Sequence, residues 1–426
     1  MLNRSFGTVK FMFMKLKSTL MCLALLAGWN VYGQLATVDL RNNNDPASLQ
    51  AAIENLTEDT HILLKPGVQY TLDAPVLTHA LILESEGGKA ILEIKSGFDL
   101  AAVEEGGTEP DVSFLKFVNL ELKGNNPSGD YVANWSKPGN LNEFVFDNCL
   151  VHSFRGVMRM KDAAPIRIGK AGLQNTVVHT VGGYGVFNQD NTNEATVLDE
   201  VVFFESTVAN TERLVVSRNT VGSVLISDVT FYNAPRYGRA FIDMANADAV
   251  IEGGVHIENV ILTTGLDGNP NNGVRAGSAT EVSIINSYAS NDFDWNSLQW
   301  RVEDVAPFVV YDAAAAALFA KVEEFDFTIV AGDFVGKDNA GDPRFYSEGT
   351  PVGLVSVVHS EIPSYWVVGN RLQFERSFDQ IELYGLTGQL LHRATSASEL
   401  AVVRKGIYLV RITDATMGSR ILKVVF

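Results

Sequence analysis

The sequence predicts an all-β protein, a parallel β-helix followed by a small β-sandwich. Three observations carry this. Short strand-like runs recur through the middle of the chain at an imperfect step of 23 to 31 residues, within the range of solenoid coils. Almost no helical periodicity separates the runs, so alternating βαβ units do not fit. From about residue 350 the texture changes to longer runs facing each other across tight turns. A β-sandwich is the alternative for the middle, but its strands should be longer and alternate more cleanly.

Residues 1–33 carry four basic residues and no acid, and the apolar run LMCLALLAG spans Leu20–Gly28. Val31-Tyr32-Gly33 follows with small or β-branched residues where a signal peptidase reads, which predicts a secretory signal peptide cleaved before Gln34. Met14 is an alternative start, since MKLKS makes the better charged head. A short membrane anchor is the competing reading, but the run is short for a bilayer and no second one follows. Cys22 lies inside the run, poorly placed for lipid attachment. Cys149 is then the only cysteine of the mature chain, which excludes an internal disulfide and a cysteine-clustered metal site.

Charge is uneven. The whole chain stands at −17, whereas residues 34–349 hold 21 basic and 44 acidic residues, a balance of −23. Such an acidic body excludes nucleic acid as a partner. It also means that a polyanionic ligand needs local arginines or a bridging divalent cation.

The repeat is read from polar markers in the runs: Asn119 in FVNLEL, Asn148 in FDNCLV, Asn175 in QNTVVH, Glu205 in FFESTV, Asp228 in ISDVTF, Asn259 in IENVIL and Asn286 in IINSYA. A second or third short run completes each coil, such as GVMRM, LVVSR and AFIDM. Upstream, ASLQAAIENL (Ala47–Leu56) shows helical spacing after Asp45-Pro46, and THILLKPGVQYTL reads as strand, Pro66-Gly67 turn, strand. An amphipathic helix there suits the open end of a solenoid, whose bare strand edges invite aggregation.

These stretches resemble known proteins. SLQAAI…THILLKPGVQYTL is similar to the opening of pectate-lyase-like right-handed β-helix proteins. FVFDNCLVHSFRGVMRM, TFYN, NSYASNDF and DFTIVAGDFVGKDNAGDPRF resemble secreted bacterial β-helix proteins of uncharacterised function. The resemblance spans about residues 38–346 and implies the fold more than an activity. Residues 350–426 resemble the type A C-terminal sorting domain of type IX secretion cargo. Tyr384, Gly385 and Thr387-Gly388 carry the likeness, with Gly406-Ile407-Tyr408 and Lys423-Val424-Val425. That resemblance implies handling by the type IX secretion machinery and a secreted or outer-membrane surface location. An ordinary carbohydrate-binding or spacer module is the alternative. The domains are thus a signal peptide at 1–33, a β-helix at 34–349 and a sorting domain at 350–426, in a chain expected to act as a monomer.

Aligning the coils brings Arg155, Arg213 and Arg239 into register, each just before a strand-like run. Planar guanidinium groups bind carboxylates bidentately, so such a ladder suits a uronate polysaccharide. Arg159, Arg218, Arg236, Tyr184 and Tyr237 extend the set as substrate-binding candidates. Trp135, Phe187 and Tyr232 are further aromatic candidates, with core packing the alternative. Pectate lyases, by resemblance, use an arginine as base with calcium acidifying the proton beside the carboxylate. The alternative is structural: the arginines pair with Glu205, Glu212, Asp228 or Asp243. For calcium, NDFDWNSLQWRVE places Asp292, Asp294, Asn296 and Glu303 at EF-hand-like spacing, though with Ser297 where that loop needs Gly. His152 and His179 are either general bases or structural residues at strand ends.

Overall fold

The computed structural model describes residues 35–103, 107–161, 164–246, 248–263, 273–293, 300 and 308–346 of one unit. Of a second it describes 365–368, 371–384, 390–401, 407–414 and 418–425. The two units divide at Val352/Gly353. The expected signal peptide lies outside the described residues.

The first unit is a parallel β-solenoid of about nine turns. Leu122, Val151, Val178, Val208, Phe231, Leu262 and Ala289 stand directly above one another on successive rungs. All seven are buried. A second inward column runs Phe117, Phe146, Leu173, Phe203, Ile226 and Ile257. Burying each such side chain contributes about 1.5–3 kcal/mol, which lets a chain without disulfides close its core. Cys149 belongs to that core. Its Sγ donates to the carbonyls of Phe117 and Asp147, each at 3.3 Å, and burial pushes the thiol up to about 12, so it is inert at neutral pH.

The polar markers have a conformational cause. Asn119, Asn148, Asn175, Glu205, Asp228, Asn259 and Asn286 all have φ between 45° and 58°. They occupy the left-handed corner where a rung turns from one strand into the next, a region that asparagine tolerates better than most residues. Their side chains also bond between rungs. Asn148 Nδ2 donates to Asn119 Oδ1 at 3.1 Å, Asn286 Nδ2 to Asn259 Oδ1 at 2.8 Å, and Asn259 Nδ2 to Asp228 Oδ1 at 3.0 Å.

The expected helix forms at Ser48–Glu54 and buries Leu49 and Ile53, one turn apart, in the solenoid core. At the other end, residues 308–346 make a strap along the outside. Val309–Tyr311 adds a parallel strand to Tyr288–Ser290. A short helix at Ala315–Leu318 follows, then a hairpin pairing Phe319–Lys321 with Asp326–Ile329. Phe319, Phe327, Ile329 and Phe334 pack with Ala209, Ile261 and Tyr288 in a second apolar cluster outside the main core. The strap is fastened at Gly341, whose N–H donates to Asn259 O at 2.7 Å. Its φ is 80°, and a Cβ there would lie 2.7 Å from both Thr230 Oγ1 and Ile261 Cδ1, so glycine is required.

The second unit holds a five-stranded antiparallel sheet. Arg371–Tyr384 pairs with Leu390–Ala401, and Ile407–Asp414 with Gly418–Val425, the two hairpins that the sequence predicts. Leu372, Phe374, Phe378, Ile381, Leu383, Leu400, Val410 and Ile412 form its core. Glu382 is fully buried and is gripped by Arg393 and Arg411.

Candidate functional site

Six short strands stack in parallel as a sheet of their own: Tyr131–Trp135, Gly156–Met160, Gly185–Gln189, Val215–Ser217, Ile242–Met244 and Val274–Arg275. One register row, Ala133, Met158, Phe187, Val215, Ile242 and Val274, is buried in the core. The neighbouring row reads Asn134, Arg159, Asn188, Val216, Asp243 and Arg275. Alternation along a strand sends that row to the outer face.

The arginines gather on this face. The guanidinium groups of Arg155 and Arg159 both lie against the Tyr184 ring, each 4.4 Å from its centre. Tyr131 meets Tyr184 edge to face at 5.6 Å. Gly156 makes room for both rings, since a Cβ there would lie 2.8 Å from Tyr184 Cβ and 3.1 Å from the Tyr131 ring. Asp190 bridges two rungs, accepting from Arg159 at 2.6 Å and pairing with Arg218 at 2.9 Å. Asp243 repeats the pattern between Arg213, at 3.6 Å, and Arg275. Burial, then the neighbouring charge of Arg239, pushes the Arg213 guanidinium below its usual range. Arg236 lies 4.8 Å from the ring centre of the exposed Tyr237, on the loop entering the fifth strand. Arg155 and Arg236 form no ion pair among the described residues.

The structure therefore brings Arg155, Arg159 and Tyr184 into one cluster and sets Arg213 beside Arg239. The structural alternative holds in part, because Arg213 does pair with Asp243. Glu205 and Asp228 lie instead at the corners of the long sheet, Glu205 near Asp342 and Arg344 of the strap and Asp228 near Asp342. Tyr131, Asn134, Asn188, Asp190 and Arg275 were not expected on this face. Asn134, Asn188 and Arg275 point outward from strands too brief to show alternation in sequence, Tyr131 opens such a strand, and Asp190 follows one.

Other candidates are placed elsewhere. Trp135 and Phe187 pack in the core against Phe144 and Phe203. Tyr232 packs under the strap, 5.6 Å from Phe327. Of the calcium candidates only Asp292 lies within the described residues. Its carboxylate accepts from Ser290 Oγ and from the N–H of Ala315, at 3.2 and 3.3 Å, at the start of the short helix. Asp294, Asn296 and Glu303 lie outside the described residues. Among the described residues no group of three or more His, Cys, Asp or Glu side chains could hold a metal.

His152 and His179 stack in parallel at 4.9 Å on a different sheet, and Phe325 of the strap covers His179 at 3.9 Å. Burial, then His152, pushes His179 down to about 4, so it is neutral at ordinary pH and serves as a packing surface. No family model, curated protein or solved structure matches the chain.

Proposed function

We propose that the outer face of the six-stranded sheet binds an anionic polysaccharide of the uronate class, on a protein exported to the cell surface or beyond. One observation supports this above others. Arg155, Arg159, Arg213, Arg218, Arg236, Arg239 and Arg275 collect on one sheet and its entry loops, in a region of charge −23. A fold that only needed neutralisation would scatter its cations among its acids. Stacked guanidinium and tyrosine groups also suit a ligand with alternating carboxylates and ring faces.

The finer reading is a uronate lyase resembling the pectate lyases. A base removes the proton beside the sugar carboxylate, the glycosidic oxygen leaves with its bonding electrons and is then protonated, and a carbon–carbon double bond forms. Arg213, the desolvated guanidinium beside Arg239, is the base candidate. Calcium enters as an assay variable, with no step assigned to it. The ion pair between Arg213 and Asp243 favours a second reading, a glycan-binding surface protein without turnover.

The test is the chain from residue 34 to 426 with uronate polymers, with and without calcium, followed by the ultraviolet absorbance of unsaturated sugar ends. A lyase is expected to give a rise that Arg213→Ala lowers about 100-fold or more. Retention on the polymers with no rise establishes the binding reading. Export rests on the likeness of residues 350–426 to a sorting domain. Fused behind a signal peptide and reporter, residues 353–426 are expected to bring the reporter to the surface, and loss of Lys423–Phe426 to abolish this. Unchanged export by the truncated fusion overturns the sorting assignment.

A further inference from the structure

Asn188 Oδ1 is buried on the arginine-bearing face without a hydrogen-bond partner, and Tyr131 Oη, buried nearby, has only the Arg159 guanidinium beside it. Tyr131 is 4% and Asn188 5% exposed. The Asn188 amide has only one workable orientation. Its Nδ2 donates to Tyr184 O at 3.0 Å, and a carbonyl can accept only from the nitrogen, so Oδ1 is the atom left over. Asn134 Oδ1 is unpartnered too. Asn134, Arg159 and Asn188 occupy one register row on three successive strands, about 4.8 Å apart per step.

Folded proteins keep few buried polar atoms unsatisfied, and each costs stability unless a water or ligand completes it. Here two amide oxygens, Asn134 Oδ1 and Asn188 Oδ1, fall within two strand steps, beside Tyr131 and the cluster of Arg155, Tyr184 and Arg159. The needs are complementary. An amide oxygen requires an O–H or N–H donor, and a guanidinium requires an anion. Polyphosphate and polyacrylate offer only the anion. A sugar acid offers hydroxyl donors and a carboxylate on one ring.

Resting on the polysaccharide reading above, we propose that Tyr131, Asn134 and Asn188 form a hydroxyl-reading subsite beside Arg155. The face then selects polyhydroxylated acids over equally charged polymers lacking hydroxyls. The ligand reaches these atoms only if the neighbouring guanidinium arms, which are long and rotamer-rich, move aside.

The experiment measures binding of residues 34–426 to polygalacturonate and to polyacrylate of similar length. The variants are Asn188→Ala, Tyr131→Phe and Arg155→Ala. The wild-type chain is expected to prefer the uronate polymer by about tenfold or more. Asn188→Ala and Tyr131→Phe should each reduce that preference about five- to tenfold, with polyacrylate binding unchanged. Asn188→Ala also removes the Nδ2 bond to Tyr184 O and should lower thermal stability somewhat, so the preference between the two polymers, not stability, is the readout. Equal wild-type affinity for both polymers, or equal weakening of both by the two substitutions, overturns the subsite while Arg155→Ala still shows a basic binding face. Binding to neither polymer overturns the polysaccharide reading, and the subsite with it.

Discussion

Asp342→Ala is expected to cost the solenoid about 3–5 kcal/mol, the range for breaking a buried ion pair. The Asp342 side chain is fully buried and pairs with Arg344 at 2.5 Å. It also accepts from Thr207 Oγ1 at 2.7 Å and Arg344 Nε at 2.9 Å, while its own N–H donates to Thr230 Oγ1 at 3.0 Å. Arg344 in turn donates to Asn175 O. This one carboxylate thus ties the strap to corners of several rungs, and its removal leaves the Arg344 guanidinium without its counter-charge. Denaturant unfolding should show the loss, and limited proteolysis should cut within 311–346 sooner than in the wild-type chain. Asp342→Asn keeps one acceptor oxygen but turns the other into a donor facing Thr207 or Arg344, so it should recover only part of the loss. A loss below about 1 kcal/mol for the alanine variant, with unchanged proteolysis, would refute the fastening role.

Glu205→Asn should do the opposite and stabilise the protein by at most ~3 kcal/mol at pH 8, taking about 1.36 kcal/mol for each tenfold change in proton affinity. Glu205 occupies a left-handed corner where most rungs carry asparagine. Burial first, then the charges of Asp228 and Asp342, pushes its carboxyl up to about 7 from an ordinary 4.5, with Arg344 pulling the other way. Between those two values the folded chain holds a proton that the unfolded chain has lost. Native stability therefore falls as pH rises through that window, and the deficit is complete above pH 7. Asparagine removes the titration and suits the corner's backbone. Its amide can also join the inter-rung bonding seen from Asn148 to Asn119. The gain should be greatest at about pH 8 and disappear near about pH 4, read from unfolding midpoints across pH. A gain independent of pH would mean that backbone preference, not charge, carries the effect.

The rungs were legible in the sequence because each corner needs an unusual backbone that asparagine supplies, so the marker recurs even where the strands vary. That Arg155, Arg213 and Arg239 each precede a short strand was legible too, but not their register: Arg213 falls opposite Gly185, in the row of Gly156, one residue past Arg155. The rest of the face was not. Asn188 and Asp243 sit in strands of five and three residues, where no periodicity distinguishes outside from inside. The strap was invisible because Phe325 and Arg344 meet His179 and Asn175 from far along the chain, and nothing local announces such a contact. The contact of Asp292 with the N–H of Ala315 was not legible either, since the two residues are 23 apart in sequence.

The spacing of the rungs also sets an order in time. Stacked neighbours such as Leu122, Val151 and Val178 are separated by fewer than about thirty residues, so each new coil needs only a short loop closed against the last. Folding speed follows how local the contacts are, and a chain delivered from its N-terminus can add coils as they emerge. The strap breaks that pattern, with 135 residues between Thr207 and Asp342 and 169 between Asn175 and Arg344. It closes last, after every coil it crosses is in place, and so acts as a completion mark on a finished solenoid.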